Sequence, residues 1–348
     1  MYNISVTSHS PYCALDTGSW LKLICGASFH HLPSIRNLAL VYSLAGVDCI
    51  DFAAEPAVLH TVKAGIDQAQ VLAQQWSMPF HRPWLMASLN AGEDPHFRKA
   101  FFDSAQCPPD CPRPCERVCP ALAIDQTGVL QDRCYGCGRC EPVCPLGLVE
   151  FVSKTYALPE LVQFLVEAGI DAIEVHTQPT SIEPFCALFA ELKPLLPRLK
   201  VFSVSVPDGE GLENFVQHVG LVIQDSSLSG QAKRHLVWQT DGRPMSGDLK
   251  AISTSRQGLA LATKFHTFQP KGHLQLAGGT NHTTAGLMET AAFPIAGVAF
   301  GSYARKLIQE EVDGAPIEDN MQHLSLALKK AQALVTPYKP HLEIRCHG

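Results

Sequence analysis

LKLICGASFHHLPSIRNLALVYSLAGVDCIDFAAEP, residues Leu21 to Pro56, holds one pattern twice. An apolar run (Leu21–Cys25) ends at Gly26, and a helical stretch near Ser34–Leu44 stops before Gly46. A second run (Val47–Phe52) follows, and Pro56 opens a helix to about Trp76. Proline at a helix start and glycine after its end are the expected punctuation. Short apolar strands alternating with helices mean βαβ units and a parallel sheet. The pattern returns at Trp84–Leu89, Ala172–His176, Val201–Val206, His235–Gln239, His273–Ala277 and Ala296–Phe300, and Pro159 opens a helix to about Gly169. Eight such units predict a (β/α)8 TIM-like barrel. An open doubly wound α/β sheet is the alternative, and Leu221–Asp225 reads as a further strand if the count is wrong.

Residues 96–155 interrupt this pattern. Set aside, they leave a chain long enough for a barrel of about 250 residues with modest decoration. The predicted organisation is therefore barrel strands 1–3 over residues 1–95, an insert over 96–155, strands 4–8 over 156–335, and a tail over 336–348. Because the insert follows a strand, it belongs on the C-terminal face of the barrel, where active sites are built.

The insert carries the chemistry. Eight of the thirteen cysteines lie between Cys107 and Cys144. Cys134-x2-Cys137-x2-Cys140-x3-Cys144-Pro145 is the ferredoxin spacing. Its turn aims three thiolates at one cluster, while the fourth cysteine serves the other. Gly136 and Gly138 let the backbone wrap, and Pro145 is expected to start a short helix. The first motif, Cys107-x3-Cys111-x3-Cys115-x3-Cys119-Pro120, has wider gaps, which leave open which of its cysteines bind and whether its cluster is [4Fe–4S] or [3Fe–4S]. The crossed assignment places Cys107, Cys111 and Cys115 with Cys144, and Cys134, Cys137 and Cys140 with Cys119. Ala121–Ile124 and Gly128–Leu130 read as a small hairpin between the motifs, with Ala123, Ile124, Leu148 and Val149 as apolar support. Zinc sites are the competing reading, but zinc knuckles come as cysteine pairs with longer spacers.

Net charge is −6 and charged residues make up 17%. This balance gives no basic footprint for nucleic acid. No apolar run has the length of a bilayer span, and no leader pattern opens the sequence, so the expectation is a cytoplasmic protein with no transmembrane segment.

Alternation along the strands decides which side chains enter the barrel. Lys22, Asp51, Ser88, Asn90, Glu174, His176, Ser203, Ser205, Gln239 and Asp241 are expected inside or at the mouth. Either they line a ligand site, with Lys22, Glu174 and His176 as candidates for proton transfer, or they form a self-satisfied polar layer. Gly278-Gly279 after the seventh strand and Gly301-Ser302 after the eighth match the barrel phosphate site. Flavin mononucleotide (FMN) or another phosphate-bearing ligand fits them; so does a plain tight turn. Asp241–Pro244 reads as a further mouth loop or a turn. Cys25 and Cys49 read as buried thiols, and His30, His31, His60, His96, His218 and His266 as surface or core residues.

CPPDCPRPCERVCPALAI (107–124), DRCYGCGRCEPVCPLGLV (132–149), QTDGRPMSGD (239–248) and LQLAGGTN (274–281), after the stretch quoted first, together resemble the light-dependent period protein family of cyanobacteria. The resemblance runs over nearly the whole chain. It implies iron–sulfur binding and modulation of the circadian period by light, with cellular redox state as the signal and a quinone or other redox carrier as its source. It also implies clock input and output proteins as partners, among them the circadian input kinase. Only the eight cysteines carry over as site residues; no catalytic residue does. Three roles follow: a redox sensor, a flavin oxidoreductase fed by the clusters, or a structural electron-wire module.

Overall fold

The computed structural model describes residues 10–26, 31–92, 98–119, 121–131, 133–134, 136–153, 158–242 and 251–339. Eight parallel strands close into a barrel: β1 (Trp20–Ile24), β2 (Cys49–Ala53), β3 (Trp84–Asn90), β4 (Ala172–His176), β5 (Val201–Pro207), β6 (Val237–Asp241), β7 (His273–Ala277) and β8 (Gly297–Phe300). Each strand pairs with its neighbours in sequence order, and β1 pairs with β8 from Trp20↔Gly297 to Leu23↔Phe300, which closes the ring. The open sheet is thereby ruled out. Leu221–Asp225 is no strand either: Leu212–Gln224 is one amphipathic helix, with Phe215, Val216, Val219 and Ile223 buried. Its apolar residues recur at helical rather than alternating spacing.

Leu32–Ala45 and Pro56–Gln75 (α2 and α3) pack together outside β1–β3, each with proline in its first turn. A helix absent from the sequence reading, α1 (Pro11–Thr17), precedes β1. Ser10 caps it by accepting from the Cys13 amide at 3.4 Å, and Gly18 ends it in the left-handed conformation. Its Ala14 and Leu15 join Trp20, Cys49, Trp84, Met86, Ala172, Val201, Val237 and Ala296 in a separate apolar cluster. Every strand residue in that cluster lies toward the start of its strand, so α1 plugs the N-terminal pole.

The chain's other end also packs onto the barrel. Lys339 Nζ donates to Asp48 Oδ2 at 2.6 Å, and Tyr338 meets Phe300 edge-on. The tail therefore begins later than residue 336; residues 340–348 lie outside the described residues.

The insert rises from the C-terminal end of β3. Arg98–Phe101 and Glu150–Ser153 pair antiparallel and bracket the cysteines. Ile124–Asp125 and Gly128–Val129 form the small hairpin. Residues 93–97 and 154–157, at the two junctions, lie outside the described residues, as does the 243–244 part of the Asp241–Pro244 loop. A hydrogen-bonded joint ties insert to barrel. Arg133 Nη1 donates to Asp313 Oδ2 at 3.1 Å, and Arg133 Nη2 lies 3.4 Å from His31 Nε2. His31 Nδ1 in turn lies 2.7 Å from Ser34 Oγ at the start of α2. His31 is thus part of the joint rather than a surface filler.

Candidate iron–sulfur centre and barrel interior

The insert separates its eight cysteines into two groups of four. Cys119, Cys134, Cys137 and Cys140 line one cavity of about 320 Å³, together with Arg139 and Phe151. Cys107, Cys111, Cys115 and Cys144 line another of about 370 Å³, together with Leu146 and Val149. Each cavity takes three cysteines from one motif and the last cysteine of the other. The exchange has a local cause. Gly136 and Gly138 hold φ of 68° and 80°, which wraps Cys134–Cys140 around one centre. Pro114–Val118 forms a short helix that carries Cys115 to one cavity and leaves Cys119 at its end beside the other. After Cys144 the chain makes turns rather than the expected helix at Pro145.

Backbone amides aim at the sulfurs. Ala123 N–H donates to Cys119 Sγ at 3.2 Å, Ala100 N–H to Cys134 Sγ at 3.3 Å, and Leu148 N–H to Cys144 Sγ at 3.4 Å. Slight burial raises the Cys144 thiol, but the amides of Leu148, Leu146, Gly147 and Val149 outweigh it and hold it below its usual value. Burial, with the neighbouring Cys137 and Cys134, pushes Cys140 up to about 12. Burial likewise raises Cys137 and Cys115. Thiols crowded this way resist becoming thiolates together unless a cationic centre stands among them. The all-sulfur donor set and the inward amides fit an iron–sulfur cluster in each cavity.

The barrel interior is built differently. Glu174 sits at its centre, fully buried. Its Oε1 accepts from Gln239 Nε2 at 2.8 Å and lies 3.2 Å from His176 Nε2; its Oε2 accepts from Ser203 Oγ at 2.8 Å and from Lys22 Nζ. Lys22 also faces Asp51 Oδ2 at 3.7 Å, and Ser88 Oγ donates to Asp51 Oδ1 at 2.5 Å. On the other side Gln239 Oε1 accepts from Gln275 Nε2 at 2.6 Å, and Gln275 Oε1 accepts from Trp20 Nε1 at 2.6 Å. Burial would raise Glu174, but the Lys22 ammonium and the His176 contact keep it well below the usual carboxylate range. Burial raises Asp51 to about 6 against the pull of Lys22. Lys22, Glu174 and His176 are therefore brought together, but within one hydrogen-bonded layer. Gln275 belongs to it and was missed, although the alternation His273-Gln275-Ala277 points inward like its neighbours.

The glycine loops lie side by side, because β7 and β8 pair at Leu276↔Val298. Gly279 has a packing reason: a Cβ there would stand 2.6 Å from Thr254 Cβ at a φ of 90°. Its carbonyl accepts from Thr254 Oγ1 at 2.7 Å and from Asn281 Nδ2 at 3.0 Å. Gly278 precedes it, also at positive φ, and Gly301-Ser302 opens the six-residue helix Ser302–Leu307. The tight-turn reading accounts for Gly279 without a ligand.

Cys25 and Cys49 are fully buried. Among the described residues, no helix is long and apolar enough to cross a membrane.

Two family models match the chain: the LdpA Fe-S cluster-binding domain over residues 107–155 and the Light dependent period A C-terminal domain over residues 164–337. A protein named "Light dependent period A" from Synechococcus elongatus is 46% identical over 341 residues, covering 94% of each chain. The chain belongs to the light dependent period A family. This family member carries the cluster-binding domain on the segment that holds both cysteine groups. Among solved structures, the tryptophan synthase alpha subunit of Legionella pneumophila is 12% identical at a TM-score of 0.44, covering 96% of this chain and 100% of that one. The 3-hexulose-6-phosphate synthase of Salmonella typhimurium is 11% identical at a TM-score of 0.42, covering 92% and 99%.

Proposed function

We propose that this protein is a redox sensor acting in light-dependent control of the circadian period. In this reading two ferredoxin-type clusters, both [4Fe–4S], take and give electrons, and their state changes binding to a clock input or output protein. Cys107, Cys111, Cys115 and Cys144 hold one cluster; Cys119, Cys134, Cys137 and Cys140 hold the other.

The observation that carries the reading is the pair of four-cysteine cavities on a small insert whose edge is apolar and open. Leu146, which lines the cavity of Cys107, Cys111, Cys115 and Cys144, is 51% exposed, and Leu122, three residues from Cys119, is 59% exposed. Electron exchange and partner docking both need such access. The barrel interior supports a scaffold role, because Glu174 is already paired with Lys22, Ser203 and Gln239; Asp51 Oδ2 in that layer is buried without a hydrogen bond.

The test replaces the eight cysteines with serine and measures light-dependent period control in cells lacking the native protein. The variant barrel is first shown to keep its circular dichroism and thermal transition. Loss of control with a folded barrel supports the sensor. Full restoration by this variant contradicts it.

A further inference from the structure

At the pole opposite the insert, Asp16, His235 and His273 meet. Asp16 comes from α1, His235 from just before β6, and His273 from the first position of β7. Asp16 Oδ1 lies 3.5 Å from His235 Nε2 and 3.7 Å from His273 Nε2, and one ligand atom from each residue falls within 4.8 Å of the others. The two imidazoles stack with centroids 5.5 Å apart and planes 12° from parallel, and each turns its Nε2 toward Asp16 Oδ1.

His235 decides what this cluster can hold. It is 2% exposed, and its Nδ1 lies 3.0 Å from the Gln231 carbonyl. A carbonyl only accepts, so Nδ1 carries the hydrogen. In the neutral ring Nε2 is then a lone pair. That buried Nε2 has no hydrogen-bond partner and faces a carboxylate oxygen. Two acceptors pointed at each other repel, unless a cation stands between them. A backbone carbonyl fixing the far nitrogen is also the usual support of a metal-bound histidine.

We propose that Asp16, His235 and His273 bind a divalent transition-metal ion of the zinc class, with solvent as the fourth ligand. Tetrahedral zinc with bonds of about 2.0–2.1 Å sets its donors roughly 3.4 Å apart, close to the two Asp16–His distances. Asp16, 43% exposed, provides the entry path. Arg234 Nη2 lies 3.7 Å from Asp16 Oδ2 but is 71% exposed and free to turn outward. A bound ion would fasten α1, the plug of the N-terminal pole, to the strands beneath it. The N-terminal face of a barrel serves stability, so the ion's role there is to fasten α1, with its solvent position left open unlike the closed shell of most structural zinc.

The test uses the full chain, purified anaerobically with its iron retained, so that the cysteines are occupied. Equilibrium dialysis against zinc is followed by zinc and iron quantification and by zinc-edge X-ray absorption. The expected result is one zinc per chain beyond the iron, with a nitrogen and oxygen shell at about 2.0–2.1 Å. Asp16→Asn and His273→Gln, both at partly exposed positions, should weaken zinc binding by more than the roughly 10–100-fold that loss of an outer partner costs. Their iron content should not change. The proposal is overturned if the native chain takes up no zinc, if both variants bind it equally well, or if the shell is sulfur at about 2.3 Å.

Discussion

In the barrel, Glu174 is surrounded by donors from four strands, and the charge of Lys22 is answered within the layer. In the insert, eight thiols point into two cavities and answer nothing among themselves. The barrel core also contains long runs of Ile, Leu, Val and Phe, whereas the insert's own buried cluster is Ala100, Phe102, Ala123, Ile124 and Val149 with Cys115, Cys134 and Cys140. One region is complete as a polypeptide, and the other needs something its sequence does not encode. A small core of this kind gains stability from a bound centre.

The largest effect should come from removing that centre. Stripping the iron, or replacing Cys134 and Cys115 with serine, is expected to abolish amide exchange protection over residues 98–153. Protection of β1–β8 should survive. If the barrel melts with the insert, the two regions are not independent.

The next largest effect lies in the barrel. Glu174→Leu leaves Lys22 buried beside Asp51 alone and should cost about 3–5 kcal/mol in denaturant unfolding. Lys22→Met combined with Glu174→Leu should recover part of that loss, because no buried ammonium is left uncompensated, while Ser203 and Gln239 still lose their acceptor. A double variant as unstable as the single one would mean that the layer does more than satisfy itself.

Asp51 gives a smaller, pH-dependent effect. Its folded value near 6 exceeds the usual 3.8. The folded chain therefore holds a proton that the unfolded chain has released, and the associated stability is lost as pH rises through about 6. Unfolding of Asp51→Asn should lack this slope between about pH 4 and about pH 6; an unchanged slope would assign the proton to another group. The smallest effect is at the joint. Arg133→Ala removes a partly exposed contact to Asp313 and His31 and should cost at most about 1 kcal/mol, less at high salt.

The same contrast governs what the sequence makes legible. Strands β1–β8 show as apolar runs between glycine and proline, and their alternation places Lys22, Asp51, Ser88, Glu174 and Gln239 inside. The cysteine groups show as spacing. What escapes is long-range. Asp16 meets His235 and His273 across most of the chain, and the only local trace is that two strand runs open with His-Leu. Gln275 escaped although it obeys the alternation. Helix α1 was legible in Ser10-Pro11 and Gly18 but is too short to show a period. Pro145 misled because proline starts turns as readily as helices.

The proposed sensor rests on two clusters in the insert with ligands exchanged between the motifs. Anaerobic purification with iron, sulfide and flavin quantified together tests it most directly, on the native chain and on Cys119→Ser and Cys144→Ser. Two [4Fe–4S] centres predict about eight irons and eight sulfides per chain, and each variant should lose the cluster of the opposite motif. Half that iron in the native chain, bound zinc in its place, or each variant losing the cluster of its own motif would contradict the account.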